Sequence, residues 1–201
     1  MNIERFDESV HDIDRVAELI LSAENVSGGT RSPRGSLKVI KNLIRTGNNF
    51  LGREHISVAL SGGDIAGLVV GYTGRGHDEL RTLLRLLLSL RLGELASYFT
   101  VVSKMVHGEY TPDIAPDEYY ISLMVVDERM RGKGVGSLLM NHAIESAKAE
   151  GCSGVLLDVD RGNDAAGALY GKFGFEPSDR STFPGPYTGP PRTITLELRL
   201  A

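Results

Sequence analysis

The sequence has little of several features that mark special classes of protein. Its single cysteine, Cys152, cannot form an internal disulfide, and no apolar run reaches the roughly 18 residues that a membrane-spanning helix needs. The first residues, Met-Asn-Ile-Glu-Arg-Phe-Asp, lack the pattern of a signal peptide. The five histidines have no metal-ligand spacing. We therefore expect a cytoplasmic protein with no metal and no membrane partner.

The chain also has fewer positively charged than negatively charged side chains. The formal net charge is −4, which gives no basic surface for nucleic acid, so no nucleic-acid partner is expected. Hydrophobic residues make up 41% of the chain and charged residues 24%, the ordinary proportions of a globular protein. A chain of 201 residues can bury roughly 70% of its unfolded surface in one core, and we expect a single domain over residues 1–201.

The first 73 residues predict the order strand, helix, helix, strand, strand. Apolar residues three and four positions apart give one apolar face to each helix, and the turn sequence Ser61-Gly-Gly-Asp64 separates two later β-type runs. The predicted strands are residues 2–7, about 55–60 and 65–73, and the helices begin near Ile13 and Leu37, the second ending near Thr46.

Residues 74–117 predict a helical insertion. A leucine-rich helix at 80–92 carries leucines on more than one face, a second helix follows at 95–106, and proline and acidic residues close the segment. A helix that is apolar on two faces needs two partners. Three interpretations stay open: an extra packing layer of the core, a substrate lid, or the surface of a homodimer.

The second half of the chain is organised around residues 120–140. An apolar run of β-type residues passes through a charged turn at 127–130 and then opens a helix with three glycines on alternate positions, Gly132, Gly134 and Gly136. Glycine lets the backbone approach a ligand closely, and the N–H groups and positive dipole end of a helix N-terminus suit a phosphate. This stretch predicts an anion site.

The spacing of these glycines distinguishes between phosphate loops. A Walker loop needs Gly-x4-Gly-Lys-Ser/Thr, but Lys133 lies between the first two glycines. A dinucleotide fingerprint needs Gly-x-Gly-x-x-Gly, and the last gap here is too short. What remains is Arg131-x-x-Gly134-x-Gly136 after a strand, which resembles the pyrophosphate-binding motif of the GNAT acetyltransferases, the enzymes that hold coenzyme A.

A second motif follows in the remaining elements. The glycine-led helix stops at Glu150-Gly151, and we expect a strand at 154–160 parallel to the one before the helix, a helix at about 165–172, a Gly/Pro-rich loop at 183–191 and a last strand at 193–200. The pattern Asn163-x-x-Ala166-x-x-Leu169-Tyr170-x-Lys172-x-Gly174-Phe175 resembles the second GNAT signature. The two motifs occur in the family's order and at its distance.

The resemblance implies a fold and an activity. The fold is an α/β arrangement with a mixed central sheet, splayed between its fourth and fifth strands, and helices on both faces. The activity is transfer of an acetyl group from acetyl-CoA to a primary amine by direct attack. The acceptor stays open between a small amine, an aminoglycoside, a peptide N-terminus and a protein lysine, because acceptor sites in this fold come from variable loops.

The resemblance also assigns roles to residues. Backbone groups of one strand would bond the pantetheine arm and the thioester oxygen, the glycine turn would hold the pyrophosphate, and Asn163 would line the pantetheine. Tyr170 would give a proton to the departing thiolate, a suitable task for a phenol. The strand residues are Met124, Val125 and Val126, and the turn residues are Arg131, Gly132, Lys133, Gly134, Val135, Gly136 and Ser137.

The base that deprotonates the amine is less well defined. Some relatives use a glutamate of the fourth strand, where this chain has Tyr120; Glu118 lies two residues earlier on the same strand face and is our candidate. A chain of water molecules is the alternative. Asp158 and Asp160 are interpreted as strand-end and cap residues, although Asp158 could reach a substrate amine. A non-catalytic acyl-CoA sensor and an interaction module remain as alternative functions.

Overall fold

The computed structural model describes residues 1–26, 33–75, 114–180 and 193–200. Within these ranges the chain forms one sheet with helices on both of its faces. The strands are β1 (Asn2–Arg5), β2 (Ile56–Ser61), β3 (Asp64–Thr73), β4 (Glu118–Val126), β5 (Gly154–Asp160), β6 (Glu176–Pro177) and β7 (Thr193–Arg199). The helices are α1 (Ile13–Val26), α2 (Pro33–Thr46), α3 (Val135–Ala149) and α4 (Asp164–Lys172).

The seven strands lie in the order β1-β2-β3-β4-β5-β7-β6. Neighbouring strands are antiparallel except β4 and β5, which run parallel and are joined by α3, as a parallel pair requires a crossover connection. This mixed sheet confirms the predicted fold class. The predicted helices at 80–92 and 95–106 and the loop at 183–191 lie outside the described residues.

The predicted boundaries differ from the observed ones by a few residues. The first strand ends at Arg5 and not at residue 7, because the Asp7 carbonyl accepts hydrogen bonds from the N–H groups of Val10 and His11 and so starts a turn. The short strand β6 was not predicted. Its two residues pair with β7 alone, and two residues are too few to give a periodic pattern.

Two core layers sandwich the sheet. In α1, Val16 and Ile20 lie one turn apart on the inner face and are at most 1% exposed, and they pack with α2 against β2 and β3. On the other face, Leu139 and Ala143 of α3 are fully buried against residues of β4, β5 and β7. Burying one such leucine or isoleucine side chain contributes about 2 kcal/mol to stability. The inner face of each helix is therefore apolar, and this periodic pattern located the helices correctly.

A β-bulge interrupts β4 at its centre. Gly71 of β3 lies opposite Ile121, and Val70 lies opposite Leu123, so Ser122 is an extra residue without a partner in this register. Before the bulge, Ile121 faces α3; after it, Leu123 faces α1 and α2. The bulge therefore resets which residues of β4 reach each face of the sheet.

The sheet opens immediately beyond this bulge. β4 and β5 pair over four residues only, from Glu118 opposite Gly154 to Ile121 opposite Leu157. β4 then continues to Val126 beside β3, and β5 continues to Asp160 beside β7, with no further pairing between the two. The predicted splay between the fourth and fifth strands is thus present, and it divides the sheet into two parts joined at one end.

Candidate active site at the opening of the sheet

The glycine turn connects the open end of β4 to α3. Asp127 follows the strand, and its carboxylate accepts a hydrogen bond from the Arg129 N–H at 2.8 Å, which starts the short 3₁₀ helix Glu128–Met130. The same carboxylate forms an ion pair with Arg15 of α1. These contacts fix the direction in which the chain leaves the sheet and enters the turn.

The N-terminus of α3 is open for an anion. Its N-cap residue, Gly134, has a φ of 85°, a left-handed conformation that favours glycine, and it offers no side-chain cap to the N–H groups of the first turn. A Cβ atom on Gly132 or Gly134 would meet nothing within 4 Å. The turn therefore leaves space beside the first backbone N–H groups of the helix that a ligand could fill.

The third glycine has a different role. A Cβ atom on Gly136 would lie 3.1 Å from Cδ2 of Leu169 in α4 and 3.9 Å from Cγ2 of Val126 in β4. Glycine at this position lets α3, α4 and the end of β4 pack closely together. The two sequence motifs, far apart in the chain, meet here.

The cations of the turn are exposed. The Arg131 side chain is 62% exposed, with its guanidinium 3.7 Å from the Glu128 carboxylate, and Lys133 is exposed with Nζ 3.8 Å from Sδ of Met130. An exposed ion pair of this kind is weak and can exchange for a better partner. Both side chains lie where they would add positive charge to an anion bound at the helix N-terminus.

The backbone of β4 beyond the bulge points alternately to β3 and to the opening. The Asp127 N–H donates to the Ala66 carbonyl of β3 at 2.9 Å. Since alternate residues of an antiparallel ladder point to opposite edges, Val125 also points to β3, whereas Met124 and Val126 direct their N–H and C=O groups to the opening. Of the three predicted backbone ligands, two therefore face the opening, and Val125 contributes a buried side chain to the core.

The helix α4 brings Asn163 and Tyr170 to the site region. Asn163 is the N-cap, and its Oδ1 accepts a hydrogen bond from the Ala166 N–H at 3.2 Å. Tyr170 packs in the core layer that also contains Met124 and Val126, with its ring centroid 6.0 Å from that of Phe175. Burial raises the pKa of the Tyr170 phenol, so the group stays protonated at neutral pH. A protonated phenol is what the predicted acid role requires.

Glu118 lies at the closed end of the sheet and is held by two partners. Its side chain is 12% exposed and forms an ion pair with Arg180, whose Nη2 donates to Oε2 at 3.2 Å. Oε2 also accepts from the Ala115 N–H at 2.6 Å. Glu118 is opposite Gly154 in the first residue pair between β4 and β5, three pairs before the opening begins. The structure does not bring it together with Tyr170 or the glycine turn.

A second polar cluster lies at the opening itself. Asp158 of β5 follows the last residue that pairs with β4; its Oδ2 accepts from the Tyr120 hydroxyl and its Oδ1 from the Thr195 hydroxyl, both at 2.7 Å. The Tyr120 ring packs edge-on against Tyr72, with centroids 5.8 Å apart. The sequence interpretation of Asp158 as a strand-end residue missed this cluster. Only the alternation of Leu156 and Asp158 toward one face could have pointed to it.

A separate groove of about 780 Å³ is lined in part by Asp127. It is bounded by α1, the turn between β2 and β3, and the 3₁₀ helix, and its acidic residues outnumber its basic ones. The acidic residues are Asp12, Glu18, Asp64, Asp127 and Glu128, and the arginines are Arg15 and Arg129. This balance is unsuited to a pyrophosphate, so the groove is not the anion site of the glycine turn.

Two further searches cover the described residues only. Among residues 1–26, 33–75, 114–180 and 193–200, no group of three or more histidine, cysteine or carboxylate side chains is arranged to hold a metal ion. None of the described helices has both the length and the apolar character to cross a membrane.

Solved structures share this fold. An N-acetyltransferase from Staphylococcus aureus Mu50 superposes with a TM-score of 0.72 at 20% identity, covering 98% of this chain and 100% of that one. An acetyltransferase from Bacillus subtilis, solved in complex with CoA, superposes with a TM-score of 0.57 at 19% identity, covering 100% and 99%. At these identities the likeness establishes the fold.

The sequence comparison establishes the family. The profile described as "Acetyltransferase (GNAT) family" matches residues 30–175, and this chain therefore belongs to the GNAT family of acyltransferases. It is 41% identical over 56 residues to the N-alpha-acetyltransferase MAK3 of Arabidopsis thaliana, an alignment that covers 28% of this chain and 30% of the relative. The chain thus spans less than a third of the length of the curated relatives that it matches.

Proposed function

We propose that this GNAT protein transfers an acetyl group from acetyl-CoA to a primary amine by direct attack of the amine on the thioester. The observation that carries the proposal is the opening between β4 and β5, which has the uncapped N-terminus of α3 at its outer end and Tyr170 on one face. The Bacillus subtilis structure with the same fold was solved with CoA, which supports coenzyme A as the donor's carrier.

The glycine turn fits the pyrophosphate of this donor. The open space around Gly132 and Gly134, together with the first-turn N–H groups of α3, gives a cradle that a side chain would fill. Arg131 and Lys133 lie beside it and add positive charge. Ser137, in the first turn of the helix, is partly exposed and adds a hydroxyl.

The edge of β4 fits the pantetheine arm. Met124 and Val126 direct backbone groups to the opening, where β5 no longer pairs with them. A pantetheine arm carries amide groups that can take the place of the missing strand. Asn163, at the start of α4, is placed in our proposal on the side of this arm.

The chemistry needs charge stabilisation and an acid. Acetyl-CoA supplies a thioester whose carbonyl carbon accepts the amine and whose thiolate leaves. A backbone N–H of β4 aimed at the carbonyl oxygen stabilises the developing negative charge, and loss of such a donor typically costs about 3 kcal/mol. Tyr170, kept protonated by burial, donates its proton to the thiolate.

The test is calorimetric titration of acetyl-CoA into the native chain and into Gly134→Glu. The substitution puts a negative side chain into the cradle at a φ of 85°, and we expect micromolar binding to fall at least about 100-fold. Gly62→Glu is the matched control: Gly62 has a φ of 65° and open surroundings, but it lies in the turn between β2 and β3. Absence of binding to a folded native chain would overturn the proposal.

The first acceptors to screen are peptides with a free α-amine. The relative from Arabidopsis thaliana is named as an N-alpha-acetyltransferase, and its alignment with this chain supports that starting point. Spermidine and a lysine peptide with a blocked N-terminus complete the panel, because they separate α-amines from side-chain amines.

A further inference from the structure

We infer that Arg15 of α1 is a positioning residue of the donor site, which holds the glycine turn through its ion pair with Asp127 in the form that receives the pyrophosphate of acetyl-CoA. This inference rests on the proposed function and adds to it a residue that touches no substrate. Because Arg15 acts on the turn alone, its effect is confined to ligands that carry a pyrophosphate.

The segment 127–133 leads from the end of β4 to the N-cap of α3, and most of its bonds are local. These local contacts join Asp127 to Arg129 and Met130, Glu128 to Arg131, and Met130 to Lys133. Within the part of the chain that the structure describes, two bonds of the segment reach another element: the Asp127 N–H donates to the Ala66 carbonyl of β3, and the Asp127 carboxylate pairs with Arg15. Only the second is made by side chains.

Arg15 approaches Asp127 from a fixed support. It lies in the first turn of α1, where the helix dipole disfavours a cation, so the helix itself gives no reason for an arginine there. The next residue, Val16, is fully buried in the core, which fixes the backbone of α1 at this point. Nη1 of Arg15 lies 3.5 Å from the Glu18 carboxylate one turn on, and Nη2 contacts Asp127. The two acidic partners hold the guanidinium in place.

The Asp127 carboxylate divides its two oxygens between two partners. Oδ1 accepts from the Arg129 N–H at 2.8 Å and so caps the 3₁₀ helix, while Oδ2 contacts the Arg15 guanidinium. The Asp127 side chain is only 13% exposed, and a carboxylate so placed needs a partner for its charge. Without Arg15 we expect this carboxylate to turn towards the groove that it lines and to release the Arg129 N–H.

A loosened 3₁₀ helix would reach the proposed pyrophosphate cradle directly, because the helix ends one residue before Arg131-Gly132. A Cβ atom on Gly132 or Gly134 would meet nothing within 4 Å, so these positions receive no support from packed neighbours. A loop that must be ordered by its ligand binds more weakly than one that is already ordered. The ion pair of Arg15 therefore raises affinity for the pyrophosphate by fixing the turn in advance.

A second ion pair provides a matched control. Arg45 of α2 pairs with Glu8, which lies between β1 and α1, and the two side chains are 49% and 40% exposed. Like Arg15, Arg45 joins a helix on this face of the sheet to a connecting segment. Neither member of the pair bonds to residues 127–133. Arg45→Gln thus removes a comparable ion pair and leaves the turn as it is.

The first measurement is amide hydrogen exchange, followed by NMR on the ligand-free chain. In Arg15→Gln the Arg129 N–H should exchange about tenfold faster, because its acceptor is released, whereas the Ile20 N–H of α1 should change less than about twofold. Arg45→Gln should leave the Arg129 rate within about twofold of the native rate. Arg15→Lys keeps the charge and should stay within about threefold.

The second measurement compares acetyl-CoA with acetyl-pantetheine, which carries the thioester and the arm but no pyrophosphate. We expect Arg15→Gln to bind acetyl-CoA about tenfold more weakly by calorimetry. Its affinity for acetyl-pantetheine, titrated by NMR, should stay within about twofold of the native value, and Arg45→Gln should change neither affinity by more than this.

The outcomes separate this inference from the proposed function. Equal losses for the two ligands would show that Arg15 supports the fold in general and would overturn the inference. An unchanged Arg129 exchange rate, or an unchanged acetyl-CoA affinity, in Arg15→Gln would also overturn it while the native chain still bound acetyl-CoA. Failure of the folded native chain to bind acetyl-CoA would instead sink the proposed function.

Discussion

At the opening, the two faces of the sheet carry different kinds of chemical groups. On the face of α3 and α4, which we call the donor side because the donor is proposed to bind there, the structure offers backbone N–H groups, glycines and the phenol of Tyr170. On the face of α1 and α2, side chains from β3, β4, β5 and β7 are joined by hydrogen bonds and ring contacts. The difference separates a face that relies on the backbone from one that relies on individual side chains.

The proposed cradle for the donor's pyrophosphate is made of backbone groups and so depends little on side-chain identity. Its requirements are a helix N-terminus without a cap, glycine where φ is positive, and a β4 edge that β5 does not cover. The cluster on the opposite face depends on individual side chains, such as Asp158. We therefore expect changes that close the opening to weaken donor binding strongly, and single substitutions in the cluster on the opposite face to weaken it little.

The largest expected effect is that of deleting Ser122. Without this residue, Ile121 and Leu123 would alternate as in a regular strand, and each would keep its present face and its present partner in β3. The fold should persist, but the straightened β4 would stay beside β5 and close the opening. We expect acetyl-CoA affinity to fall at least about 100-fold by calorimetry while the thermal unfolding transition remains cooperative.

The control for this deletion is Ser122→Ala. The Ser122 hydroxyl donates to the Val70 carbonyl at 3.4 Å, a weak contact, and alanine keeps the bulge. Affinity for acetyl-CoA should stay within about threefold of the native value. Tight binding by the deletion variant would show that the bulge does not set the opening.

The next effect is that of Tyr170→Phe, which tests the donor side alone. Removal of the phenol should lower kcat about 100-fold, with acetyl-CoA affinity nearly unchanged, because the hydroxyl acts only on the leaving thiolate. Burial raises the pKa of Tyr170 above its ordinary value of about 10. Since the acid works when protonated, kcat in the native chain should not lose this contribution until the pH exceeds about 10.

Kinetics on the first acceptor found in the screen provide the measurement. In Tyr170→Phe, the fall in kcat above pH 10 should be absent, because the phenol whose ionisation causes it is absent. An unchanged kcat in the variant would remove Tyr170 from the catalytic group and leave proton donation to solvent.

The smallest effect is expected for Glu118→Gln, which compares the closed end of the sheet with its opening. The substitution removes the charge that faces Arg180 and keeps the shape of the side chain, so we expect a loss of about 1 kcal/mol in the free energy of unfolding. The acetylation rate should change less than threefold, as expected for a residue three pairs from the opening. A rate loss of about 100-fold would instead establish Glu118 as the base that the sequence predicted.

The sequence located the glycine turn and the helices well because their signals are local. The glycines of the turn and the pattern from Asn163 to Phe175 each lie within one short stretch, and the apolar periodicity located α1 to α4 within a few residues. Local spacing determines these features, since a helix N-terminus and its preceding turn form from neighbouring residues. The split of the sheet followed from the family resemblance.

The bulge of β4 and the contacts of Asp158 and Glu118 were not predicted, because they depend on strand register. The bulge at Ser122 exists only in relation to Val70 and Gly71, about 50 residues earlier, and Asp158 meets Tyr120 and Thr195 from two other strands. The ion pair of Glu118 with Arg180 joins residues 62 positions apart. No pattern within a single stretch reports such pairings, so the sequence indicated Asp158 as a strand-end residue and Glu118 as a candidate base without indicating the partners of either.

The closed end of the sheet has a mechanical consequence for the open end. Ser153, beside the first residue pair, donates its N–H to the Asp117 carbonyl and its hydroxyl to the Asp117 carboxylate, both at 2.7 Å. Together with the four residue pairs of β4 and β5, these bonds hold the two strands together at their closed end. A small rotation of one strand at this end produces a larger displacement at the open end, because the strands diverge from here. Surface residues at the closed end that touch neither substrate can therefore change the width of the opening.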